Sequence, residues 1–76
     1  MAARWPMPSG PLTMFGRKLK ELRVRRGLTQ EELAEKANLH RNYVSDVERG
    51  TRNISLVNII ALAKALGVKP GKLFNW

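Results

Sequence analysis

Thr29-Gln30-Glu31-Glu32-Leu33-Ala34-Glu35-Lys36-Ala37-Asn38-Leu39-His40-Arg41-Asn42-Tyr43-Val44-Ser45-Asp46-Val47-Glu48-Arg49-Gly50 is the stretch that decides how this chain folds. Thr29 followed three residues later by Glu32 is a capping-box signature, in which each side chain accepts from the other residue's free backbone amide in a first helical turn. It predicts a helix from Gln30 to about Ala37, with Leu33, Ala34 and Ala37 facing inward. Asn38 then breaks the period. Asparagine is among the few non-glycine residues that tolerate a left-handed backbone, so Asn38 and Leu39 make a tight turn. A further helix, His40 to Arg49, follows at once and is closed by Gly50. Two helices crossing steeply through so short a turn need a small side chain where they abut and a turn residue of unusual dihedrals. Ala34 and Asn38 supply both, and Leu33, Ala37, Leu39, Val44 and Val47 fall where the pair shares a core.

Outward from this pair the apolar spacing stays helical. Phe15, Leu19 and Leu22 stand at i, i+4 and i+7, predicting a first helix that runs to about Arg26 and stops at Gly27. Ser55 caps a helix from Leu56 to Leu66, ended by Gly67, with Leu56, Ile59, Ile60, Ala63 and Leu66 on a broad apolar face. Pro70 suits a first helical position and predicts a last turn carrying Leu73 and Phe74. Toward the amino terminus, Pro6, Pro8 and Pro11 with Ser9 and Gly10 oppose a regular helix. Residues 1–13 therefore read as a flexible Pro-rich tail and 14–76 as one all-α domain of five helices.

Charge narrows the function. Fourteen Lys and Arg stand against six Asp and Glu, a net charge of +8 that favours a polyanionic partner, either nucleic acid or an anionic membrane surface. With no cysteine and one histidine, disulfide stapling is excluded and metal-supported folding is not expected; no cofactor is implied. No apolar run approaches the roughly 18 residues that suggest a membrane span, so a soluble, reducing compartment, the cytoplasm, is the default. His40 has no nucleophile to pair with, and there is no metal-ligand cluster or glycine-rich phosphate loop, so an enzyme is not expected. A membrane-active cationic helix is disfavoured by Glu31, Glu32 and Glu35, which leave the Gln30–Ala37 helix net negative.

The run from Thr29 to Ala34 and that from Val44 to Gly50 resemble the helix-turn-helix of the phage repressor and Cro (XRE) family, and the similarity extends over roughly Phe15 to Phe74. Within that family, His40 to Asn53 is most similar to the small controller proteins of restriction-modification systems. One departure is Asn38, where the family usually has glycine. The resemblance implies a lambda-repressor-like fold with the helix-turn-helix at helices 2 and 3. It implies a sequence-specific DNA-binding transcriptional regulator acting as a homodimer on a two-fold operator; with no room for a ligand-binding module, no small-molecule ligand is expected, and no membrane partner either. The alternative within reach of the same helices is an antitoxin that also binds a toxin.

If Val44 and Val47 face the core, the 3.6-residue period sends Asn42, Ser45, Asp46 and Arg49 to the opposite side, with Arg41 at its flank. Arg binds guanine and Asn binds adenine in bidentate fashion, and the family inserts the amino end of this helix deepest into the major groove. Arg41, Asn42, Tyr43, Ser45 and Asp46 are therefore the expected base-reading set. Tyr43 is open between covering the core edge, a phosphate and a thymine methyl. Gln30, at a helix start where free amides favour anions, is expected on phosphate, as the family's matching glutamine is, together with Arg49, Arg52 and Asn53. Arg17, Lys18 and Lys20 read as a solvated face. Arg23 and Glu48 match a pair that forms an internal salt bridge in the family. Leu73, Phe74 and Trp76, three large apolar groups at the carboxy end, are assigned to the dimer interface, with Leu73 equally readable as core.

Overall fold

The computed structural model describes residues 10–76, which form α1 (Gly10–Arg25), α2 (Gln30–Ala37), α3 (Arg41–Glu48), α4 (Leu56–Leu66) and a 3-10 turn at Pro70–Phe74. There is no strand among the described residues. Among the described residues there are four α-helices, and a fifth is not confirmed. The expected fifth is a short 3-10 segment whose amide of Lys72 bonds back to the Lys69 carbonyl at 2.9 Å, a spacing too tight to propagate.

α1 begins at Gly10, ahead of the domain boundary expected after Thr13. Proline in a first helical turn removes an amide that would have no intrahelical acceptor, so Pro11 opens the helix instead of preventing it. Thr13 packs on the loop after α3: a Cβ placed on Gly50 would come within 2.7 Å of its Oγ1. Trp5, Pro6, Pro8 and Ser9, with the rest of the expected tail before Gly10, lie outside the described residues.

The core is built from one stripe of each helix: Phe15, Leu19 and Leu22 of α1, Leu33, Ala34 and Ala37 of α2, Val44 and Val47 of α3, and Leu62, Ala63 and Leu66 of α4, closed by Leu73. The face of α4 is the expected one only in part: Ala63 and Leu66 are buried and Ile59 packs against the core. Leu56 and Ile60 are 70% and 40% exposed, whereas Leu62, absent from the expected face, is fully buried. Nearly every position of α4 is apolar, so the residue pattern defines no preferred face, and packing against α2 and the carboxy-terminal turn selects one.

α1 and α3 approach so closely that Gly16 has no room for a side chain. A Cβ there would lie 2.3 Å from the Val47 carbonyl oxygen and 2.6 Å from that of Glu48. This contact presses the end of α3 against α1.

Candidate nucleic-acid interface

Local chemistry fixes α2 and α3 against each other before any long-range contact is counted. The Glu32 amide donates to Thr29 Oγ1 at 3.0 Å and the Thr29 amide to Glu32 Oε1 at 2.9 Å, completing the capping box. At the other end of α2, Asn38 adopts φ 59° and ψ 45°, the one left-handed non-glycine residue among those described. That conformation lets the Leu39 amide reach the Ala34 carbonyl at 2.8 Å and sends the chain directly into α3.

A buried clamp then sets the height of α3. Arg23 of α1 donates through Nε to Glu48 Oε2 at 2.6 Å and through Nη2 to Oε1 at 3.1 Å, while its Nη1 donates to the Leu28 carbonyl at 2.7 Å. Both side chains of the pair are nearly sealed from solvent, 11% and 3% exposed. Gln30 Nε2 adds a donor to Glu48 Oε1 at 2.9 Å. Gln30, expected on phosphate, thus commits one amide hydrogen to the clamp and keeps one hydrogen and its oxygen at the start of α2, a role the sequence reading did not assign. The Arg23–Glu48 pair thereby ties together α1, the loop before α2, the first residue of α2 and the end of α3.

With Val44 and Val47 turned inward, Arg41 and Asn42 are exposed on α3, Ser45 and Asp46 are partly so, and Arg49, just past its end, is exposed. Arg41 and Asn42 occupy the first turn, next to His40, which stands at the N-cap position without a side-chain cap bond. Asp46 is not a free acceptor: its Oδ1 pairs with Arg49 Nη2, and its Oδ2 lies 3.7 Å from Arg52 Nη2. Its backbone carbonyl takes the Thr51 amide at 3.0 Å and the Thr51 hydroxyl at 3.1 Å, anchoring the loop that carries Arg52 and the exposed Asn53. Tyr43 sits at the core edge. Its hydroxyl accepts from Asn58 Nδ2 of α4 at 3.0 Å, and the Arg52 guanidinium lies 4.9 Å from its ring centroid.

At the carboxy end Leu73 is fully buried, so of its two readings, dimer interface and core, the structure takes the core one: the turn folds back under α1 and α4. Phe74 and Trp76 remain half-exposed and form a row with Phe15, the ring centroids 5.3 Å and 5.7 Å apart. Leu56, Val57 and Ile60 add exposed apolar surface on α4 that the sequence reading missed. Asn58 was missed too, although a lone polar residue within Leu56-Val57-Asn58-Ile59-Ile60 was a visible signal. Among the described residues no group of three His, Asp or Glu side chains is placed to hold a metal ion, and no helix is long and apolar enough to cross a membrane.

Comparison with known proteins agrees with this geometry. A helix-turn-helix family model matches residues 19–73. The control protein C.BamHI of Bacillus amyloliquefaciens is 48% identical over 64 residues, covering 83% of this chain and 79% of the relative. C.MunI of a Mycoplasma species is 44% identical over 62 residues, covering 80% and 84%. The crystal structure of the restriction-modification controller protein C.AhdI from Aeromonas hydrophila superimposes with a TM-score of 0.82 at 56% identity, over 83% of this chain and 96% of that one. A capped α2, a left-handed turn and a clamped α3 with an exposed polar face, in a chain that matches these proteins over most of its length, make it a member of the phage repressor and Cro (XRE-type) helix-turn-helix family of DNA-binding transcriptional regulators.

Proposed function

We propose that this chain is a controller of a restriction-modification system, a homodimer that reads a two-fold related operator through the first turn of α3. The observation that carries the reading is the exposure of Arg41 and Asn42 on a helix whose other side is locked by Val44, Val47 and the Arg23–Glu48 clamp. Arg41 and Asn42 meet base edges, while Arg49, Arg52 and the free donor of Gln30 meet phosphates on either side. The partly exposed Ser45 and Asp46 lie farther along α3, at the margin of the base-reading surface, and Asn53 flanks the loop.

One such module buries only about 600 to 1,000 Å² on DNA, so useful specificity calls for two copies on half-sites about 34 Å apart. The exposed Leu56, Val57 and Ile60 of α4, with Phe74 and Trp76, support a contact between copies, since large apolar groups gain by leaving water. Selection of bound duplexes from a random pool tests the reading, with two inverted half-sites as the expected product. Selection of a single unpaired half-site, or of no site, refutes it. Phe74→Ala combined with removal of Trp76, or Val57→Glu, should shift dimer to monomer in sedimentation across a concentration series with helix content retained. An unchanged dimer in all these variants overturns the interface assignment.

A further inference from the structure

We infer that Asn58 of α4 is a positioning residue for DNA backbone recognition, acting through Tyr43 on the phosphate-facing side of the interface; the inference rests on the DNA-binding reading above. Asn58 is the one polar side chain between Leu56 and Ala63. Its backbone amide is capped by Ser55 Oγ at 3.2 Å, which fixes it in the first turn of α4, and its side-chain amide reaches across to α3. There it donates to the Tyr43 hydroxyl oxygen at 3.0 Å, both residues being partly buried.

A tyrosine hydroxyl has one proton to give and lone pairs to receive. With Asn58 Nδ2 donating to the oxygen, the hydroxyl's own proton points away from Asn58, and among the described residues no acceptor takes it. The group is thus set as a donor, and the acceptor that a DNA duplex offers at the edge of a recognition helix is a phosphate oxygen. The same hydrogen bond holds the ring in place, and the ring carries Arg52: its guanidinium carbon is 4.9 Å from the centroid, while the Asp46 carboxylate, 3.7 Å away, restrains the guanidinium as well. Asn58, Tyr43 and Arg52 therefore form a chain of contacts from α4 to the loop after α3. Asn58 touches no DNA in this arrangement; it orders the two groups that do.

The test uses the full chain with its selected duplex and a scrambled duplex, titrated over a series of salt concentrations. Asn58→Ala should weaken both duplexes about fivefold and to a similar degree, leaving their ratio unchanged. It should also reduce the logarithmic salt slope by up to about 0.9, the value of one phosphate contact, as Arg52 loses its fixed position. Tyr43→Phe, which keeps the ring but removes the hydroxyl, should reproduce the loss, and the double variant should be no weaker than the weaker single one. A structural defect alone would lower the active fraction without moving the salt slope. An unchanged affinity and slope in Asn58→Ala overturns the inference, and so does a full further loss when it is combined with Tyr43→Phe. A wild-type chain that binds neither duplex overturns the DNA-binding reading itself, an outcome visible before any variant is made.

Discussion

Gly16→Ala is the substitution for which helix propensity and tertiary packing give opposite answers. In an isolated helix the change gains about 1 kcal/mol, because alanine loses less backbone freedom than glycine. Here the new Cβ would stand 2.3 Å and 2.6 Å from two backbone carbonyl oxygens of α3, where ordinary contact begins at 3.4 Å. A carbonyl oxygen of the main chain has no rotamer by which to yield, so α1 and α3 must separate by about 1 Å, at an overpacking cost of about 1 to 3 kcal/mol. The same displacement would stretch the Arg23–Glu48 bonds of 2.6 Å and 3.1 Å beyond useful length. An opened buried pair costs about 3 to 5 kcal/mol. The net expectation is a loss of about 3 kcal/mol or more, which for a domain this small lowers the melting midpoint by at least about 12 °C. Thermal unfolding followed by circular dichroism, without DNA, measures it. Gly71→Ala is the control, since a Cβ there meets nothing within 4 Å and should leave stability within about 1 kcal/mol. A midpoint for Gly16→Ala that is unchanged or raised would refute the claim that backbone contact dictates this position.

Arg41→Ala and Asn42→Ala should each flatten the preference for the selected duplex over a scrambled one by about 1 to 3 kcal/mol, with the melting midpoint preserved; retention of the full ratio at matched salt removes the residue from base readout. Glu48→Leu should destabilise the fold by about 3 to 5 kcal/mol because Arg23 stays buried without its partner, whereas Arg23→Met with Glu48→Leu should recover most of that loss in urea titration. Asn38→Gly should stabilise by about 0.5 to 1 kcal/mol in the same titration, since glycine holds the left-handed conformation at no steric cost.

What was legible in the sequence is what neighbouring residues decide among themselves. Thr29 and Glu32 are three positions apart, Asn38 bears its own backbone preference, and Val44 and Val47 set the wheel that exposes Arg41 and Asn42; each reads correctly without knowledge of the rest of the chain. The face of α4 did so only in part, with Ile59, Ala63 and Leu66 read correctly but Leu56, Ile60 and Leu62 not, because these residues are interchangeable as hydrophobes and only α2 and the carboxy-terminal turn discriminate among them. Pro11 was read as a helix breaker where it is a helix starter, a distinction that depends on one position of register. Gly16 is silent in sequence, since its partner is the backbone of residues more than thirty positions away. Asp46 divides between the two cases: its pairing with Arg49 lies within one helical turn, whereas Arg52 arrives by the path of the loop after Gly50.

The clamp on Glu48 has a mechanical consequence. Arg23 and Gln30 meet at that one carboxylate through three hydrogen bonds, and a fourth ties Arg23 to the Leu28 carbonyl, so α3 cannot rock against α1 or α2 without straining a buried ion pair. The reading head is therefore stiff relative to the duplex it meets, and where the curvature of the two surfaces disagrees, the softer body deforms. Bending energy then falls on the DNA, in amounts that depend on which base steps are asked to yield. On the proposed two-half-site operator, base pairs that no side chain touches would then enter the choice of site through their flexibility, and substituting them should change affinity although every protein contact stays the same.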